Sequence, residues 1–116
     1  MTHFRVDILL PLSFNKEDGG EKIPQEYFHE TYEDLLKISK GVSTNDNLIE
    51  GSWIHPDTNV RYDDKSILFT IVVDSEDKMT VHKVSKIKDL INYKEILKRK
   101  FKQKQIFMVA IRCCWL

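Results

Sequence analysis

The sequence predicts an α+β sandwich: one antiparallel four-stranded sheet with two helices on one of its faces. Three observations predict it. The stretch from Ser66 to Asp74 is the longest run of β-branched and apolar residues and is largely apolar at both parities, so it reads as a central strand covered on both sides. Two segments, Gln25 to Lys40 and Lys86 to Gln103, carry apolar residues at helical spacing. The elements follow one another as strand, helix, strand, strand, helix, strand.

The first strand runs from Phe4 to Leu10, with Phe4, Val6, Ile8 and Leu10 on one face and Arg5 and Asp7 on the other. Pro11 ends it, because proline cannot donate to a ladder. Ser13 to Lys22 is a loop with Asn15 and Asp18-Gly19-Gly20 as turn formers. Its glycines are flanked by Glu17, Asp18 and Glu21, which repel an anion and argue against a phosphate cradle. Pro24 suits the first turn of the first helix, Phe28, Leu35 and Ile38 mark its apolar face, and Gly41 is the expected stop.

Asn47 to His55 reads as the second strand, followed by a turn at Pro56–Asn59 and a short return strand, Val60-Arg61-Tyr62. Asp63-Asp64 reads as a further turn before the central strand, giving an extended meander. Trp53 and Tyr62 are placed to pack across it as an aromatic pair. Asp74 to Asp77 reads as a helix cap rather than a Mg²⁺ site, and Met79 to Ser85 has no clear period. The second helix presents Ile87, Leu90, Ile91, Leu97 and Phe101 on its apolar side, and Gln105 to Cys113 forms the last strand.

A chain of 116 residues is expected to form a single domain, 1–116. Nothing approaches the ~20 apolar residues of a membrane span, and the N-terminus lacks a signal-peptide pattern. The expected location is therefore cytoplasmic, with no membrane partner. Cys113 and Cys114 are neighbours that point to opposite faces of a strand, so the expected state is two reduced thiols. The four histidines are scattered without ligand spacing, and no metal or cofactor is expected. Charge is uneven: residues 1–77 hold 7 Lys and Arg against 16 Asp and Glu, and residues 78–116 hold 11 against 2. A basic nucleic-acid surface is one reading of this. The favoured reading is an acidic and a basic element lying side by side.

The βαββαβ order is that of the ferredoxin-like split motif, with sheet order 4-1-3-2. Parity then assigns Phe4, Val6, Ile8, Ile67, Phe69, Ile71, Val73, Phe107, Val109 and Ile111 to the helix side. Arg5, Asp7, Leu9, Leu68, Thr70, Val72, Met108, Ala110 and Arg112 fall on the open face.

The residues Leu10-Pro11-Leu12, Asn15, Gly20, Ile23-Pro24, Phe28, Gly41, Glu50-Gly51-Ser52-Trp53, Tyr62-Asp63 and Val72-Val73-Asp74 give a dispersed pattern. It resembles a group of short, uncharacterised bacterial proteins with an L-P-L strand end, a G-x-W strand and a Y-x-D turn. The resemblance implies a small ferredoxin-like domain and brings no catalytic residues. The Lys-rich segment between Lys78 and Lys88 departs from the pattern.

The expected function is binding or interaction without catalysis, in a homodimer or with another protein, through an open face that includes Arg5, Asp7, Leu68, Val72, Met108 and Arg112. Two alternatives stand beside it. One is a nucleic-acid accessory protein using Lys98, Arg99 and Lys102 of the basic helix. The other is a small enzyme with its site on the open face.

Overall fold

The computed structural model describes residues 2–75 and 85–116. Strand β1 (Thr2–Pro11) leads through a 3₁₀ turn (Lys16–Asp18) to helix α1 (Gln25–Ser39); β2 (Val42–Ile54) and β3 (Arg61–Ser75) follow, then α2 (Ser85–Lys100) and β4 (Phe107–Cys113). The four strands form one antiparallel sheet in the order β2-β3-β1-β4. The α+β class and the central position of the Ser66–Asp74 stretch are as the sequence predicts. The expected cap at Asp74–Asp77 and the aperiodic stretch after it fall largely outside the described residues.

β1 and β3 alternate on a period of two, which sets the core. Phe4, Val6, Ile8 and Leu10 of β1 and Phe69, Ile71 and Val73 of β3 are buried, and they pack with Phe28 and Leu35 of α1 and Ile87, Leu90, Leu97 and Phe101 near α2. Phe28 and Phe101 meet edge to face, with ring centroids 5.5 Å apart. Ile91 does not join them. It is 47% exposed, and Tyr93 takes the inward position instead, donating its hydroxyl to Asp34 of α1 at 2.8 Å. Burial, then the Asp34 carboxylate, pushes the Tyr93 phenol well above its ordinary range.

Three local expectations are corrected. α1 ends one residue early: Lys40, not Gly41, takes the left-handed conformation (φ 62°), and its N–H bonds to the Leu36 carbonyl. Asp63-Asp64 is not a turn. It lies inside β3, paired with Gly51 and Ser52 of β2, so the meander is one long hairpin with an irregularity between Asn45 and Ile49. Two adjacent aspartates mimic turn chemistry, but here the partner strand satisfies their backbone.

β4 faces the other way from its expected parity. Leu9 pairs with Phe107, Asp7 with Val109 and Arg5 with Ile111. Antiparallel partners share a face, so Phe107, Val109 and Ile111 lie on the open face, and Met108, Ala110 and Arg112 lie on the helix side. Both parities of this strand are largely apolar, so only the register against β1 decides between them. Arg112 sits over the Phe4 ring, 5.8 Å from its centroid.

Phe69 is 2% exposed at the centre of this core. Phe69→Ala is expected to cost ~3–5 kcal/mol through lost burial and a residual cavity. Chemical denaturation checks it, and a loss below about 1 kcal/mol would place Phe69 outside the core.

Candidate functional site

The open face of the sheet is built in rows by the strand registers. Ile111, Arg5 and Val72 form one row, Val109, Asp7, Thr70 and Ser43 the next, and Phe107, Leu9, Leu68 and Asn45 a third. The middle of the face carries its own charge compensation. Arg5 pairs with Asp7 at 3.4 Å, and the Thr70 hydroxyl donates to Asp7 at 3.0 Å. Of the residues expected on this face, Arg5, Asp7, Leu68 and Val72 are brought together, whereas Met108 and Arg112 are on the other side.

β4 differs from the other strands. Phe107 is 52% exposed, Val109 36% and Ile111 44%, and on the opposite side Ala110 and Arg112 are also exposed. Among the described residues β1 is its one strand partner, and no described strand pairs with its outer edge. On the helix side Met108 packs against the core, so the exposed apolar strip of β4 is its open-face row, Phe107, Val109 and Ile111.

Beyond the helix layer, the β2–β3 hairpin continues without helix cover and stabilises itself with side chains. Trp53 stacks on its cross-strand partner Tyr62, with centroids 4.8 Å apart and planes 15° from parallel, as the sequence predicts. Tyr62 is buried, and its hydroxyl donates to Glu17 at 2.8 Å and accepts from Lys104 at 3.1 Å. Two further segments, at Glu17 and Lys104, therefore hold one member of the aromatic pair. Glu17 is held below the usual carboxylate range by its own main-chain N–H and then by the Tyr62 hydroxyl. Hydrogen bonding to Tyr62 raises Lys104.

The two aspartates of β3 point to opposite faces and have opposite surroundings. Asp63 accepts from the Ser52 hydroxyl and from Arg61 Nε at 2.8 Å, and these contacts lower its pKa. Asp64 makes no side-chain hydrogen bond or ion pair among the described residues. Burial, then repulsion from Asp63, pushes its carboxyl up. It lines a cavity of about 340 Å³ together with Leu9, Ser66, Trp53, Phe107 and Val109. Turn chemistry at Asp63-Asp64 hides Asp64 from sequence reading. The signal available was strand parity continued backwards from Ser66 through Asp64 to Tyr62.

A larger cleft of about 790 Å³ lies at the other end of the sheet, lined by His3, Lys40, Val72, Asp74, Lys86 and Trp115. Lys86 and Asp74 pair across it at 3.1 Å, which lowers Asp74, and the rings of His3 and Trp115 stack at 6.1 Å. No group of three potential metal ligands occurs among the described residues.

The basic helix is extensively engaged by its own surroundings. Lys98 pairs with Glu95 at 3.7 Å, Lys100 with Glu30 of α1, and Lys102 sits over the Phe14 ring. The acidic first helix and the basic second helix thus meet, although Arg99 remains exposed.

No family model and no curated protein matches the chain. Among solved structures it is similar to a phage SAM lyase in complex with S-methyl-5'-thioadenosine, at 15% identity and a TM-score of 0.57, over 96% of this chain and 88% of that one. It is also similar to the B. subtilis GlnK–ATP complex, at 16% identity and a TM-score of 0.46, over 95% of this chain and 82% of that one. The fold thus defines a small α+β sandwich, a class that the first of these structures shares.

The signs of the carboxylate shifts give a testable contrast. A lowered carboxylate stabilises the fold above its unfolded pKa; a raised one opposes it as pH rises through that range. Asp64→Asn is therefore expected to raise the melting temperature near about pH 7 and to have no effect near about pH 3. Asp63→Asn is expected to lower it near neutrality. Thermal melts across pH check the contrast.

Proposed function

We propose that this protein is a self-associating binding module of ferredoxin-like type, with a second copy of the chain covering its open sheet face. The observation that carries this is β4. Its side chains Phe107, Val109 and Ile111 are exposed, its outer edge has no strand partner among the described residues, and its helix-side residues Ala110 and Arg112 are exposed as well. A second copy offers the same apolar strip. The adjoining Arg5–Asp7 pair is internally neutralised, so two copies of the face meet without like-charge repulsion. Met108 and Arg112 are not part of this surface, and Phe107, Val109 and Ile111 replace them.

Small-molecule binding on the same face is a second reading. The cavity bounded by Asp64 and Trp53 favours it, and the phage SAM lyase of similar fold is seen with a small nucleoside thioether. The nucleic-acid reading is the weakest, since Lys98, Lys100 and Lys102 already have partners within the chain.

Val109→Glu buries an unpaired charge in such an interface and is expected to weaken association by at least about 100-fold, with the fold unchanged. Analytical ultracentrifugation with circular dichroism checks both. A wild-type monomer at high micromolar concentration would remove the proposal. In parallel, replacing Lys98, Arg99 and Lys102 with Gln is expected to leave the oligomeric state unchanged. Salt-sensitive retention of the wild type on DNA or RNA, lost in that variant, would instead favour the nucleic-acid reading.

A further inference from the structure

The geometry points to the cavity between the β2–β3 hairpin and the start of β4 as a binding site for a small organic cation with a flat, apolar body, and we propose this as its ligand class. The inference rests on the small-molecule reading of the open face and adds the charge and shape of the ligand.

The volume of about 340 Å³ suits a compact organic molecule. Leu9, Phe107 and Val109 give the cavity apolar walls, and Trp53 gives it an aromatic one. Trp53 is fixed before any ligand arrives, because Tyr62 stacks against it and is itself held by Glu17 and Lys104. A rigid indole costs little further ordering on binding. Its ring also attracts a cation placed over its face.

The charge preference comes from Asp64. Its neighbour Asp63 is occupied by Ser52 and Arg61, contacts that hold the hairpin together. Asp64 has no such partner among the described residues, and it borders the cavity. Lys94 of α2 also lines the cavity but forms no ion pair with Asp64 among the described residues, and the neighbouring Asp63 repels Asp64. A partly desolvated carboxylate beside another anion gains from a cation in the cavity. Ser66 and Gln105 add polar groups that can orient the ligand. The larger cleft offers no comparable opening, since its Lys86 and Asp74 already pair.

The test is titration of the full chain with benzyltrimethylammonium and, separately, with the neutral benzyl alcohol, read by the NMR shift of the Trp53 indole N–H. The cation is expected to bind at least about tenfold more tightly than the alcohol. Asp64→Asn is expected to remove that preference, Asp63→Asn to keep it, and Trp53→Leu, followed through the Phe107 and Val109 amides, to weaken both ligands. Equal binding of cation and alcohol, or an unchanged preference in Asp64→Asn, overturns the cation assignment and leaves small-molecule binding standing. No shift with either compound up to the millimolar range overturns both.

Discussion

The pairing of β1 with β3 is the constraint on which the rest of the structure depends. It runs unbroken from Thr2 opposite Ser75 to Pro11 opposite Ser66. Because side chains alternate strictly, this one register commits Phe4, Val6, Ile8 and Leu10 to the same face as Val73, Ile71, Phe69 and Ile67. The two helices then have one apolar surface to cover. A slip of a single residue would turn Arg5 and Asp7 toward the core, so the register is strongly specified. β4 hangs on β1 and inherits its facing from the same strand.

The helix layer covers the two central strands well and leaves the rest of the sheet to find other means of support. On one side the β2–β3 hairpin stabilises itself by stacking Trp53 on Tyr62 and by binding Asp63 to Ser52 and Arg61. On the other side β4 has no comparable support among the described residues, and Phe107, Val109 and Ile111 remain exposed. The cavity with Asp64 forms where these two incompletely covered regions approach each other. A paired carboxylate and one without a partner among the described residues thus sit at adjacent positions of one strand. The pleat sends one into the hairpin's own contacts and the other toward the cavity.

The opposite charges of the two ends of the chain are resolved locally. Lys100 reaches Glu30, Tyr93 reaches Asp34, and Lys104 approaches Glu17 through the Tyr62 hydroxyl. These partners are 42 to 70 residues apart along the chain. A partly exposed ion pair such as Lys100–Glu30 contributes little stability, but these contacts align an acidic helix beside a basic one and reduce the field that either would project.

By itself the sequence determined the element types, their order and the inward face of β1 and β3, because alternation and helical spacing are local properties of composition. It also placed Trp53 opposite Tyr62, since the turn between them fixes the pairing. It did not determine which face of β4 looks outward, because Phe107, Val109 and Ile111 compete with an almost equally apolar set at the other parity. Nor did it show that Asp63-Asp64 continues a strand: that choice depends on Gly51 and Ser52 lying alongside to satisfy the backbone. Only the tertiary structure left Asp64 without a partner among the described residues beside Trp53, since burial and charge compensation arise from segments far apart in the chain.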